Sequence, residues 1–415
     1  MSVRRVVVTG IGAVTPIGTG SRALWDGVLA NRSAVRTIDR FDASGFPSRI
    51  AAQIDDFEPA DHLDARRARR LDRFSAMAVA ASRLAMNDAR LTSPNGDASR
   101  TGVWIGSALG GIAFGEEQHD GFVARGVRGV APTLALAVFG GAGASNVALD
   151  LGITGPAVGN ANSCASGAVA IGQAFHAIRD GTVDAALAGG AEAPLAPLTF
   201  GAFALIRVLS QRNDDPATAS RPFDRDRDGF VMGEAAAILV LEEREAALRR
   251  DAPILAELLG FGASNDAYHM TAPRPDGRDA ARAIRIALDD ARVGAGEIGY
   301  VNAHGSSTPL NEAAEARALH LALGPSARGV AVSGTKGLYG HALGASGAVE
   351  AAITVLALHH GRLPGTCNLA TLDPEVDLTV LRVAESRRVG AALSTSFGFG
   401  GMNAALVFGG APPAG

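Results

Sequence analysis

Short, strongly apolar runs alternate with alanine-rich stretches of helical spacing along almost the whole of this 415-residue chain. Val6-Val-Val, Gly102-Val-Trp-Ile, Ala185-Ala-Leu-Ala, Ala237-Ile-Leu-Val-Leu, Ile298-Gly-Tyr-Val, Val330-Ala-Val and Ala405-Leu-Val-Phe read as strands. They do not alternate polar with apolar, as expected of strands covered on both faces. Between them, helical spacing runs over 75–87, 165–179, 277–291, 311–323 and 347–359. This order predicts an α/β fold with covered sheets. The 52 glycines gather at strand-to-helix junctions, where tight turns call for positive φ.

Two parts of the chain share a layout. Each ends a strand in a Gly/Ser-rich turn that opens an alanine-rich helix: Asn162-Ser-Cys-Ala-Ser-Gly in one, Gly340-His-Ala-Leu-Gly-Ala-Ser-Gly in the other. The second part starts near Leu255, which predicts a duplication with halves 1–254 and 255–415.

Composition removes several function classes. A net charge of −4 supplies no field for nucleic acid. No apolar run reaches the roughly 18 residues of a membrane helix. The start, Met1-Ser-Val-Arg-Arg, runs straight into a strand without the regions of a leader, and the short Ala411-Pro-Pro-Ala-Gly end is the one low-complexity stretch. Two cysteines, Cys164 and Cys367, make no disulfide framework. A cytoplasmic protein is expected.

Two motifs mislead. Thr9-Gly-Ile-Gly-Ala-Val-Thr resembles a dinucleotide loop, but Thr15 stands where the third glycine belongs. Asp224-Arg-Asp-Arg-Asp-Gly opens like a calcium loop, yet its twelfth position is Ala235. A structural loop of Arg–Asp pairs is the better reading.

The chemistry concentrates on four residues. Lys336 is the single lysine among 38 basic residues, which marks a place where a compact ammonium does what a guanidinium does not. Cys164 lies where a strand gives way to a helix, and a helix N-terminus is expected to favour its thiolate. His304, in Asn302-Ala-His-Gly-Ser-Ser-Thr-Pro, and His341, ahead of the 347–359 helix, stand at further strand-to-helix junctions, where α/β proteins place reactive groups. A neutral imidazole is expected at His341. A zinc site built from Cys164, His304 and His341 is an alternative without supporting ligand spacing. No metal is expected.

Taken together with Thr335-Lys-Gly-Leu-Tyr-Gly-His, Arg221-Pro-Phe-Asp, Gly229-Phe-Val-Met-Gly-Glu and Ser396-Phe-Gly-Phe-Gly-Gly-Met-Asn, these motifs resemble those of the elongating β-ketoacyl-ACP synthases, in order and from Val6 to Phe408. The resemblance implies a thiolase fold: two pseudo-twofold-related βαβαβαββ halves in five layers, α-β-α-β-α. It also implies a dimer, as a homodimer or with a chain-length-factor-like subunit, and an acyl carrier protein as partner. No cofactor is implied beyond the carrier's phosphopantetheine. By the same resemblance Cys164 is the acylated nucleophile and His304 and His341 bind the malonyl thioester. Lys336 and Glu350 form the supporting pair. The N–H groups of Cys164 and Phe399 form an oxyanion hole, and Phe399 is also the gate. Ser306 and Thr308 hold the pantetheine arm. Arg66, Arg67, Arg69, Arg70 and Arg207 are the implied docking face for the acidic carrier.

The chain departs from the family at Asn162 and Ser163 before the nucleophile, at Gly337-Leu-Tyr after the lysine, at Met402, and over the Gly/Ala-rich region 110–144. These departures turn the expectation toward a specialised polyketide or polyene pathway over housekeeping fatty-acid synthesis. A thiolase would carry a second cysteine in the Phe399-Gly-Gly-Met loop, and a synthase of the third type an asparagine at His341; neither is present. A non-catalytic chain-length factor remains the alternative from another class.

Overall fold

The computed structural model describes residues 4–91 and 97–411, so residues 1–3 and most of the Pro-rich end lie outside the described residues. The first half runs β1 (Val6–Thr15), α1 (Arg73–Asp88), β2 (Thr101–Gly106), α2 (Ala142–Leu151), β3 (Ala157–Asn160), α3 (Ser166–Arg179), β4 (Ala185–Glu192) and β5 (Ala235–Glu243). The second runs β6 (Ala256–Asn265), α4 (Arg278–Ala291), β7 (Ile298–Asn302), α5 (Asn311–Leu323), β8 (Ala331–Ser333), α6 (Ser346–His360), β9 (Ala391–Gly398) and β10 (Met402–Gly410). Strand order is β3-β2-β4-β5-β1 in one and β8-β7-β9-β10-β6 in the other. Parallel and antiparallel steps repeat position for position.

The two half-sheets meet at one seam, where Val6, Val7 and Val8 of β1 pair antiparallel with Leu258, Glu257 and Ala256 of β6. One ladder therefore continues through both halves. α3 and α6 lie between the half-sheets and touch strands of both. Every residue of α6 from Ser346 to Leu358 is buried, because a helix between two sheets has no solvent face to make polar. α1 and α2 cover the outer face of the first half-sheet, α4 and α5 that of the second.

The β1 glycines belong to this packing. They lie inside a continuous strand, where a Cβ on Gly10 would stand 2.4 Å from the Ala85 carbonyl oxygen and one on Gly12 1.8 Å from that of Ala81, both on α1. Gly260 and Gly262 of β6 meet Ala287 and Ala283 of α4 in the same way. The glycines let helix and strand backbones touch, and the helix fills the space beside them. Gly12→Ala is expected to lower stability by about 3 kcal/mol, because the clash is with backbone; the urea midpoint measures it.

The Asp224 loop is held by its own polar groups. Asp224 Oδ2 accepts the N–H groups of Ala370 and Thr371, and Arg227 binds Asp373 at 2.5 Å.

Candidate active site

Both halves deliver side chains to one cavity of about 400 Å³, lined by Cys164, His304, Ser306, Thr308, His341 and Phe399 among others. Cys164 sits in the 3₁₀ turn Ser163–Ala165 that leads into α3. His304 follows β7, and His341 precedes the turn Leu343–Ala345 that leads into α6. The ring centroids of the two histidines are 5.4 Å apart and nearly perpendicular.

Hydrogen bonds assign the imidazole tautomers. His341 Nδ1 accepts from the Leu343 N–H at 3.0 Å and lies 2.9 Å from Ser346 Oγ. The proton is therefore on Nε2, facing the cavity. His304 Nδ1 lies 3.3 Å from Lys336 Nζ, which leaves its own Nε2–H as a donor. Burial, reinforced by the Lys336 charge, holds both rings well below the usual histidine pKa. Burial is thus the main influence favouring the neutral form at His341.

Lys336 and Glu350 are both wholly buried. Lys336 Nζ donates to Glu350 Oε1 and to the His304 carbonyl oxygen. Burial raises the Glu350 carboxyl and Lys336 draws it back.

Cys164 behaves otherwise than its helix-terminal place suggests. Burial pushes the thiol up to about 12, against the Lys336 charge and the Phe399 N–H, which both pull it down. Loss of solvent around the sulfur outweighs both, which favours the neutral thiol. The Phe399-Gly400-Gly401 turn takes positive φ at both glycines, 80° and 72°, and this aims the Phe399 amide at the sulfur. The Phe399 ring stacks on Phe203 at 6.4 Å. Ser306 and Thr308 hydroxyls bond each other at 3.0 Å on the cavity wall.

Arg207 is exposed and lines the cavity. Arg66, Arg69 and Arg70 are exposed as well. Arg67 differs: it turns inward to Asp150 at 3.1 Å and to the Asn146 carbonyl, so its charge is already engaged. Tyr339 does not intrude beside His341. It is fully buried, with its hydroxyl 3.4 Å from Thr335 Oγ1. Met402 Sδ faces the Asn162 amide at 3.7 Å, so these two departures from the family pattern meet. Cys367 lies off the cavity lining, with burial raising its thiol to about 11. Among the described residues no group of three or more His, Cys, Asp or Glu is arranged to hold a metal ion.

Sequence reasoning missed two buried carboxylates. Glu315 on α5 accepts the His304 N–H at 2.7 Å, the Gly305 N–H at 2.9 Å and Thr395 Oγ1 at 2.8 Å, fixing the loop that carries His304. Glu192 ties together two loops at the cavity wall. A glutamate in the middle of an otherwise alanine-rich helix was the available signal for Glu315. Phe230, inside the Gly229-Phe-Val motif, packs 5.0 Å from His341.

Comparison with known proteins agrees with this geometry. The N-terminal domain of β-ketoacyl synthases matches residues 3–247 and the C-terminal domain residues 255–370. The chain is 45% identical to 3-oxoacyl-[acyl-carrier-protein] synthase 2 of Synechocystis, with 98% of each chain covered. It is 42% identical to the protein of the same name from Coxiella burnetii, covering 98% of this chain and 99% of that one. Among solved structures, the ishigamide ketosynthase/chain length factor superposes with TM-score 0.92 at 36% identity, covering 99% of this chain and all of the other. A β-ketoacyl synthase from Burkholderia phymatum does so with TM-score 0.91, also at 36% identity and with 99% and 100% covered. The fold is therefore that of the thiolase-type ketosynthases, and the chain belongs to the β-ketoacyl synthase family of acyltransferases.

Proposed function

We propose that this chain is the catalytic condensing subunit of a type II chain-elongation system, in which Cys164 carries the growing acyl chain and His304 and His341 handle the malonyl donor. The observation that carries the reading is the convergence of one thiol, two Nε2–H donors and the Phe399 amide on a single cavity.

In the first step Cys164 sulfur attacks the thioester carbonyl of an acyl carrier protein. The carbon–sulfur bond to pantetheine breaks, and the thiol proton leaves with the pantetheine sulfur. The tetrahedral oxyanion is held by the Cys164 and Phe399 N–H groups, which contribute on the order of 3–4 kcal/mol each. In the second step malonyl thioester binds with its carbonyl oxygen between the two Nε2–H groups. Loss of CO2 leaves an enolate, whose negative oxygen those donors stabilise. The enolate carbon attacks the acyl carbonyl, the bond to Cys164 sulfur breaks, and the released thiolate takes a proton from solvent. Lys336 and Glu350 keep His304 in the donor tautomer. Phe399 gates the acyl chain, and Ser306 and Thr308 hold the pantetheine arm near the mouth. The only prosthetic group drawn upon is the carrier's phosphopantetheine.

Arg66, Arg69, Arg70 and Arg207 receive the acidic carrier, mostly through steering. A ketosynthase bound to its acyl-carrier protein among the structural relatives supports this partner. Residues 1–254 and 255–415 are read as the duplicated halves, on the repeated strand order. A second ketosynthase-fold subunit, an identical copy or a chain-length-factor type, covers the face bearing Phe122, Val123, Val127 and Phe139, all exposed here. The ketosynthase and chain-length-factor pairs among the relatives support such an assembly. No helix of the described residues is long and apolar enough to cross a membrane, in keeping with a cytoplasmic enzyme. Relatives include both polyketide and 3-oxoacyl synthases, and we read this chain as the specialised polyketide type because its sequence departs from the family pattern at Asn162, Ser163, Tyr339 and Met402.

The test is direct. With acyl carrier protein, the acyl mass is expected on Cys164, at a rate that falls as salt rises. With malonyl carrier protein, CO2 release is then expected. Acylation without CO2 release would overturn the condensing reading in favour of a transferase. The placement of Cys164 inside the histidine cavity speaks against the non-catalytic chain-length factor.

A further inference from the structure

Glu192 ends β4 and is fully buried. Its Oε1 accepts from Ser107 Oγ at 2.9 Å and the Leu109 N–H at 3.1 Å. Its Oε2 accepts from the Ala108 N–H at 2.6 Å and the Gly344 N–H at 2.9 Å. Residues 107–109 follow β2 in the first half, whereas Gly344 lies in the turn between His341 and α6 in the second. One carboxylate thus bolts a wall of the cavity to the turn that serves His341.

The pseudo-symmetry of the halves shows what that carboxylate replaces. Asn162 and Ala342 have φ/ψ of −88°/41° and −87°/37°. Ser163 and Leu343 follow with φ of 49° and 40°. Each pair leads through a three-residue 3₁₀ turn into a buried helix. Gly344 therefore occupies in the second half the place of Cys164 in the first. The Cys164 amide lies against Gly398, the last residue of β9; the Gly344 amide lies against Glu192, the last residue of β4. Where the first turn offers its amide to a substrate oxyanion, the second turn has its amide filled by the protein's own anion. Gly344 must be glycine for this, since a Cβ there would stand 2.6 Å from Glu192 Oε2 and 2.3 Å from the Ala108 nitrogen.

The Leu343 N–H, one residue before Gly344, is the group at His341 Nδ1 that can only donate, beside a Ser346 hydroxyl that can donate or accept. We infer that Glu192 is a positioning residue for His341: by fixing the Gly344 amide it fixes the Leu343 amide, and with it the tautomer that turns Nε2–H to the cavity. The inference rests on the donor role proposed for His341. Burial pushes the Glu192 carboxyl up to about 7 against the four donors that favour its anion, so the clamp is held by geometry and not by charge pairing.

Glu192→Gln keeps the shape and sets an NH2 group against N–H donors at one of the two oxygen positions. Two measurements test it. The first is the ¹⁵N spectrum of histidine-labelled protein, with the His341 signals assigned by loss in His341→Asn. Wild type is expected to show a protonated Nε2 and an unprotonated Nδ1, and Glu192→Gln a mixture of tautomers. The second separates the half-reactions: CO2 release from malonyl carrier protein is expected to fall about 10–100-fold, with acylation of Cys164 changed only a few-fold. Ser107→Ala, which removes one donor to the same carboxylate without adding a contact, is expected to give a weaker form of the same pattern if Glu192→Gln folds poorly. An unchanged His341 tautomer in a folded variant overturns the inference, as does an equal loss of both half-reactions. A changed tautomer in an enzyme whose wild type neither acylates nor releases CO2 upholds the positioning role and sinks the reading of function instead.

Discussion

Cys164→Ala is expected to abolish the acyl-enzyme and to lower condensation by on the order of 10⁵-fold or more, the scale at which loss of a covalent nucleophile acts. CO2 release from the malonyl donor should survive, because the two Nε2–H donors and the residues that orient them do not touch the sulfur's role. His341→Ala should show the reverse: acyl mass still appears on Cys164, while decarboxylation falls about 10²–10³-fold, as for removal of one preorganised donor. Mass spectrometry and CO2 trapping read the two arms. Because burial holds both imidazoles well below the usual 6.5, the acid limb of condensation should lie on the acid side of that of a free imidazole. The sign for stability is the same. As pH falls through 6.5 the unfolded chain takes up protons that the buried rings refuse, so the native state loses stability from that point downward.

The second large effect concerns the buried pair. Lys336→Met leaves the Glu350 carboxylate without its partner and is expected to cost about 3–5 kcal/mol. The cost is eased only as far as Glu350, already raised by burial, takes up a proton. Glu350→Gln leaves the opposite charge stranded, with a comparable loss. The double variant Lys336→Met, Glu350→Leu should recover most of the stability, since an apolar pair of similar size needs no desolvation of charge. It should not recover condensation, because His304 Nδ1 has lost the donor that sets its tautomer. Denaturant midpoints and CO2 release measured on the same samples separate the two. Recovery of both would show Lys336 to be purely structural.

How much of this was legible in the sequence depended on what each residue packs against. β1, β2, β4 and β5 stood out because all their residues are buried. β9 does not stand out: Ala391–Gly398 carries Ser394, Thr395 and Ser396 in its core-facing stretch, which lowers its hydropathy where it approaches the site. β6 was read only as the start of the second half, since Gly260 and Gly262 dilute its pattern while serving α4. Cys164, His304, His341, Lys336 and Glu350 stand out in the sequence because they sit in recognisable motifs. Glu192 and Glu315 were not, since a carboxylate inside a core looks in sequence like one on the surface until topology brings the amides to it. Burial works against the thiolate expectation for Cys164 for a related reason: a helix terminus is visible in a sequence, and the depth at which it is buried is not.

The solitary lysine leaves the folded surface without a single ε-amine, for Lys336 is wholly enclosed. Acylating reagents aimed at amines will therefore find no side chain to label on the intact fold, and cross-linkers of that class will not join this protein to its partners through a side chain. The same fact makes Lys336 a native reporter. Its modification requires the core around the catalytic cavity to open, so the labelling rate under native conditions measures how often that opening occurs.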